Sequence, residues 1–239
     1  MRRKAEAPVP GDSEAGQVLD QDQLTVLLAG FRGSTLYPIV AVAAFTGARR
    51  NEILALRWSD FNAVTKTLRI AQSLEETKAH GRRFKEPKTR RGSRTIALDD
   101  GLADLLSAER ETYLRLMVGL SDGTAVDLSL VNLPAGALIF PSPAVLETDL
   151  TRPRDARGLT KEFRRRARKL GFPTLRFHDL RGTHETLLLD SGVPVHVVAA
   201  RCGHDPAILL RTYAHRTKKA DVSAATIIGT LSERVLGSS

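Results

Sequence analysis

Residues 175–215 read LRFHDLRGTHETLLLDSGVPVHVVAARCGHDPAILLRTYAH, and the punctuation of this stretch predicts three short helices joined by tight turns. A helix over 177–190 stops at Gly192, Pro194 opens a second, and Asp205 with Pro206 supplies the N-cap and first position of a third. His178 and Arg181 lie three apart, on one face of the first helix. His204 falls at the start of the third helix and Tyr213 at or just beyond its end, among the polar neighbours of RTYAH. A potential base, a permanent cation, a second imidazole and a phenol are thus gathered in one segment. Taken singly, each is more often a hydrogen-bonded structural group than a catalyst, so the rest of the chain has to supply support.

The 239 residues carry 36 Lys plus Arg against 27 Asp plus Glu, a formal charge of +9. That length buries a proper core in one large domain or two small ones, and the excess of cations points first to a polyanion, of which nucleic acid is the commonest. The single cysteine, Cys202, excludes a disulfide framework within one chain and fits a reducing compartment. The basic start is followed by AEAPVPGDSEAGQ, without the apolar run of a secretory signal, and no apolar stretch is long enough to span a bilayer. A soluble, cytoplasmic protein is expected.

Residues 1–17 read as a flexible linker or arm, rich in Pro, Gly and charge. Asp20 can cap a helix carrying Leu24, Leu27 and Leu28 that ends at Gly30 and Gly33, and a nearly all-apolar helix over 37–45 belongs in the core. After Thr46-Gly47, Arg49 stands at the beginning of a short helix, where its donors and the helix start can hold an oxyanion; Glu52, three residues on, can steady the guanidinium. TLRIAQSLE, GRRFKEPKT and SRTIALD read as three short strands. Between them Arg82, Arg83, Lys85, Arg90 and Arg91 are candidates for neutralising a DNA backbone, and Lys88 differs by lying at a strand end beside Pro87. Residues 101–118 resume helical spacing, with Leu102, Leu105, Leu106 and Leu116 inward, and ALIF at 137–140 packs under the sheet. GLTKEFRRRARKLG, 158–171, reads as a helix with Thr160 as N-cap and Gly171 as C-cap, its Arg164, Arg165 and Arg168 facing phosphate. A tail helix over 217–239 either folds back or docks on a neighbouring copy.

TGARRNEILALRWSDF, EPKTRRGSRTIAL, FHDLRGTH, and GH followed nine residues later by Tyr213 occur in that order. Together they closely resemble the catalytic domain of tyrosine recombinases, the phage-integrase family, over nearly the whole chain from Leu19. The resemblance implies a mainly helical α+β fold with a small three-stranded antiparallel sheet, the catalytic domain covering 18–216. Residue by residue, Arg49 matches the first catalytic arginine, Glu52 its acidic supporter and Lys88 the lysine of the sheet hairpin. His178 and Arg181 match the HxxR pair, His204 the histidine of the GH motif, and Tyr213 the nucleophile. Gly182 departs from the family, which often has His there. Family members usually carry a helical core-binding domain ahead of this one, so a catalytic-domain fragment is expected.

The implied chemistry suits these residues. A free tyrosine is ionised about once in a thousand at pH 7, a deficit of about 4 kcal/mol, so Tyr213 needs a base or a strongly cationic setting. His178 is the better base, and His204 donates to a non-bridging phosphate oxygen. Arg49 and Arg181 clamp those oxygens, and Lys88 protonates the leaving 5′ oxygen. By resemblance, attack on double-stranded DNA gives a 3′-phosphotyrosyl link, no metal, nucleotide or other cofactor is required, and strand exchange implies a homo-tetramer. Three rival readings are a type IB topoisomerase, a helix-turn-helix regulator built on SGVPVHVVAARCGHDPAILLRTY, and a metal nuclease using His178, Asp179, His184 and His204, whose spacing matches no ligand motif.

Overall fold

The computed structural model describes residues 16–77, 81–86, 92–119, 127–128, 130–143 and 149–214. Leu19 is fully buried, and its N–H donates to Thr183 Oγ1 at 3.1 Å, which ties the segment before the first helix to a helix 160 residues later. Asp20 caps α1 (Gln21–Phe31) through a reciprocal box: its carboxylate accepts the Gln23 N–H at 2.8 Å, and Gln23 Oε1 accepts the Asp20 N–H at 3.1 Å. Helix α2 (Tyr37–Thr46) buries Ile39, Val40, Val42 and its alanines, as a helix apolar on every side must. It stops at Gly47, whose φ of +64° is left-handed. A Cβ there would come within 2.7 Å of the His184 ring and 2.8 Å of Cys202 Sγ, so glycine is required for both turn and packing. The short α3 (Arg50–Ile53) begins directly beyond it.

The strands differ in membership from the expectation. TLRIAQSLE divides into β2 (Thr67–Ile70) and β3 (Ser73–Thr77). Strand β2 lies between β1 (Phe61–Asn62) and β5 (Arg94–Ala97) in a three-stranded antiparallel sheet, with Leu68 opposite Ile96. Strand β3 pairs instead with β4 (Gly81–Lys85) in a separate hairpin, Leu74 opposite Phe84. Burial explains the division: Leu68, Ile70 and Ile96 sit in the core, whereas four of the five β4 residues are exposed. Asp60, buried at the start of the sheet, accepts from the guanidinium groups of Arg57 and Arg69 at 3.1 and 3.0 Å.

Helix α4 (Asp100–Met117) turns Leu102, Ala103, Leu106 and Leu114 inward. Leu116, expected inward, is exposed, because it lies two residues, about 200°, around the helix from Leu114. Ala137, Leu138, Ile139 and Phe140 are all buried, and the Ile139 N–H donates to Leu56 O at 2.8 Å, which places this strand-like stretch beside the sheet as expected. Helix α5 (Ala156–Lys169) starts earlier than its Thr160 suggested. Asp155 is the N-cap, accepting from Arg157 N and Gly158 N, while Thr160 Oγ1 donates back to Ala156 O inside the helix.

Three helices complete the fold: α6 (Asp179–Asp190), α7 (Val195–Cys202) and α8 (Pro206–Ala214). Gly192, Pro194 and Asp205 fall at the turns where punctuation placed them. Most of the core forms one cluster shared by α1, α2, α4, α5 and the sheet. A satellite cluster of Val198, Ala199, Cys202 and Leu209 joins α7 to α8. Among the described residues no helix is long and apolar enough to cross a membrane. Residues 1–15 of the expected arm, the whole of the expected tail helix, and Lys88, Arg90 and Arg91 lie outside the described residues.

Candidate active site

Arg49 is the N-cap residue of α3. The oxyanion at this helix start is the chain's own: Glu52 Oε2 accepts the Arg49 backbone N–H at 2.8 Å, while Oε1 pairs with Arg49 Nη1 at 3.0 Å. Arg49 Nη2 donates to Gly203 O at 3.2 Å, so the turn between α7 and α8 is bound to the start of α3. The far side of Glu52 is taken by Arg94, whose Nη2 and Nη1 lie 2.9 and 3.3 Å from its two oxygens and whose Nε donates to Arg201 O at 2.7 Å. Burial alone would raise the Glu52 pKa, but the Arg94 and Arg49 contacts leave it below the usual carboxylate range.

The second half of the site stands on α6. His178 is its N-cap residue and Asp179 its first; buried Asp179 accepts from Arg176 N at 2.8 Å and pairs with its guanidinium, fixing the turn that presents His178. Desolvation, and then the Arg181 charge, lower the His178 pKa, which favours the neutral ring that a base requires. Arg181 has a side chain 3 % exposed. Its Nη1 donates to Gly47 O at 2.6 Å and its Nε to His204 Nε2 at 2.8 Å, and Nη2 has no partner among the described residues. A guanidinium cannot accept, so His204 Nε2 is the acceptor and the proton of the neutral ring resides on Nδ1. Glu185 Oε1 lies 3.1 Å from Arg181 Nε and 3.0 Å from His204 Nε2.

The two halves meet through Gly47 and Gly203, whose carbonyls accept from Arg181 and Arg49 respectively. His178, Arg181, Glu185 and His204 line a cleft of about 210 Å³, and His178 also lines a second with Arg49, Arg50 and Arg164. A separate hollow of about 510 Å³ around Tyr113 and Arg154 shares no lining residue with either. Arg49, Glu52, His178, Arg181 and His204 are therefore brought together. Tyr213 is not: its hydroxyl donates to Asp190 Oδ1 at 2.5 Å, at the far end of α6, and this bond pushes its pKa up to about 12.

His184 and Asp179, two of the four groups of the metal-nuclease reading, are committed elsewhere. His184 Nδ1 donates to Ala44 O at 2.9 Å, and its Nε2 accepts from Arg201 Nε at 3.2 Å; burial, with the Arg201 charge, pushes its pKa down to about 4. Asp179 is bound to Arg176. The basic surface is more neutralised than the sequence suggested. Arg82 pairs with Asp155 at 3.0 Å, Lys85 and Arg83 with Glu75, and Arg165 with Glu162 at 2.7 Å. Glu75 comes from the paired strand and Asp155 from the N-cap of α5, whereas Glu162 lies one helical turn from Arg165 within the run 158–171 itself. Arg164 and Arg168 are exposed, Arg164 at the rim of the cleft with Arg49.

The family model described as the phage integrase family matches residues 17–220, most of the chain. The chain belongs to the phage integrase family. It is similar to a tyrosine recombinase XerC-like protein of Caldanaerobacter subterraneus subsp. tengcongensis, 25 % identical over 227 residues, which cover 90 % of this chain and 54 % of that protein. The chain thus spans about half the length of that relative. Among solved structures it is similar to the Tn1549 transposon integrase in complex with a circular intermediate DNA, with a TM-score of 0.67 at 18 % identity, covering 91 % of this chain and 68 % of that one. The XerA recombinase follows with a TM-score of 0.60 at 19 % identity, covering 92 % and 66 %. These likenesses establish the integrase catalytic-domain fold.

Two members of the cluster were missed in the sequence. Arg94 was given no role, although its alternation with buried Ile96 and Leu98 placed it on the inward face of β5. Glu185 was passed over, although it lies four residues beyond Arg181 on one helix.

Proposed function

We propose that this chain is the catalytic region of a site-specific DNA recombinase that cleaves and rejoins strands through a 3′-phosphotyrosyl intermediate. The observation that carries the reading is the fixing of two guanidinium groups, Arg49 on the Gly203 carbonyl and Arg181 on the Gly47 carbonyl, with His204 held by Arg181. Such a set of fixed donors suits a phosphodiester whose charge grows in the transition state. Arg181 Nη2, buried without a partner among the described residues, is a donor held ready for an anion. In this reading Arg49 and Arg181 hold the non-bridging oxygens, His204 donates to one of them, and neutral His178 takes the proton of Tyr213 as its oxygen attacks phosphorus. Lys88 gives a proton to the departing 5′ oxygen. The bond energy is kept in the phosphotyrosine, and a 5′-hydroxyl from another strand reverses the step.

Tyr213 has to leave Asp190 before it can attack. The bond to Asp190 keeps the phenol protonated, raising its pKa to about 12, and turns its oxygen toward the end of α6. Arg164 and Arg168 on α5 are the exposed cations best placed to meet the duplex backbone, with Lys88, Arg90 and Arg91 joining them. The same reading makes double-stranded DNA the partner, a homo-tetramer the recombining assembly, the cytoplasm the setting, and residues 18–216 the catalytic unit, with the segment after it exchanged between copies. The test is incubation in EDTA with a nicked suicide duplex carrying its recombination site. A covalent protein–DNA adduct is expected, and its absence would sink the reading. Lys88→Ala should slow cleavage far less when the leaving oxygen is replaced by sulfur; equal impairment on both substrates contradicts the general-acid role.

A further inference from the structure

Glu185 is buried on α6, and the chemistry above gives it no part. Its Oε1 lies 3.1 Å from Arg181 Nε and 3.0 Å from His204 Nε2, yet no donor among the described residues is aligned on it, because the Arg181 Nε–H points at the His204 ring. The His204 ring and the buried Cys202 thiol both lie against the carboxylate and hold its pKa down. A buried carboxylate oxygen without an aligned donor is costly. Its place makes sense when the ring gains a proton. An Nε2–H on His204 would confront the Arg181 Nε–H across 2.8 Å, and Glu185 Oε1 is the acceptor within reach of both.

We propose that Glu185 is a positioning residue of the cleavage site: its carboxylate keeps the His204 ring and the Arg181 guanidinium together in both protonation states of the ring, by accepting the N–H that each turns aside when the ring is protonated. Its consequence for DNA cleavage rests on the recombinase reading; the geometry does not. The charged and titratable groups around this trio are His178 and His184 of α6, Cys202 of α7, Arg94 of β5, and Arg49 and Glu52 of α3, with His196 across a small cavity from His204. Of these, the imidazoles are the type that changes charge near neutral pH. Glu185→Gln removes a negative charge beside His204, and the same charge is lost to Arg181, His178, His184 and Cys202.

The test compares wild type and Glu185→Gln by ¹⁵N spectra of the histidine rings across pH, and by the single-turnover rate of adduct formation. The His204 ring signals should respond to pH differently in the two proteins, because a carboxylate 3.0 Å from Nε2 has lost its charge, while the His196 signals should not differ between them. Adduct formation should fall about 10- to 100-fold, the usual loss when an orienting group is removed, with affinity for uncleaved DNA unchanged. A His204 ring that titrates alike in both proteins overturns the proposal. Absence of adduct from wild type alongside a shifted ring overturns the recombinase reading and leaves the positioning role standing. Glu185→Asp provides a second variant, with the charge kept and the reach shortened. It should retain the wild-type ring titration and cleave more slowly; wild-type cleavage by this variant also counts against the proposal.

Discussion

Arg49 and Arg181 each stand beside a carboxylate, Glu52 and Glu185, and the two pairs are built differently. Glu52 lies between Arg49 and Arg94, two guanidinium groups that stay charged at any physiological pH. Glu185 lies between a guanidinium and an imidazole. Arg49 keeps 43 % of its side chain exposed, whereas Arg181 keeps 3 %. The first half is thus a fixed charge reaching into solvent, and the second is an enclosed donor set whose charge depends on protons. A site made of one of each can attract an anion at long range and still respond to pH at the point of contact.

The largest break in this comparison should come from Arg181→Gln. It removes the donor shared by Gly47 and His204, and adduct formation should fall about 10²- to 10³-fold, the loss typical of a preorganised donor, measured by single turnover. Arg94→Ala attacks the other half without touching the cleft. It leaves buried Glu52 with Arg49 alone, and denaturant unfolding should show a loss of about 3 kcal/mol, as for a broken buried pair; a change below about 1 kcal/mol would mean that Arg49 suffices. Next comes the pH response of the buried interior. The His184 pKa of about 4 lies below its ordinary 6.5, so between those values the unfolded chain binds a proton that the folded chain refuses. Stability should fall as pH drops from 6.5 toward 4, by about 3 kcal/mol in all, and thermal unfolding of His184→Asn should lack that slope. The smallest effect is expected at the exposed end of α6: Asp190→Ala frees Tyr213 and should quicken adduct formation by no more than about tenfold, since an exposed charged hydrogen bond is weakened by water.

The helices were legible because their signals are local. Asp20, Gly47, Gly192 and Pro206 mark ends within a few residues of themselves, and the observed boundaries follow them. The sheet was less so. Whether TLRIAQSLE is one strand or two depends on its partners, β1 and β5 for the first half and β4 for the second, which the stretch itself does not name. Among the site residues, Arg49, Glu52, His178, Arg181 and His204 could be named from motifs, and the Arg49–Glu52 pair from its spacing; the contacts that join the two halves could not, because they run through backbone carbonyls at Gly47 and Gly203. The charge count failed for a similar reason. Arg82, Arg83 and Lys85 meet Glu75 and Asp155 only after strand pairing and helix packing bring distant residues together.

The central claim is that the cluster serves an attack by Tyr213, which in the DNA-free chain points to Asp190 instead. Peptide mapping of the covalent adduct formed in EDTA tests it most directly. The account predicts DNA attached through the phenolic oxygen of Tyr213 in wild type and no adduct from Tyr213→Phe; an adduct that survives in Tyr213→Phe, or one mapped to another side chain, would contradict it.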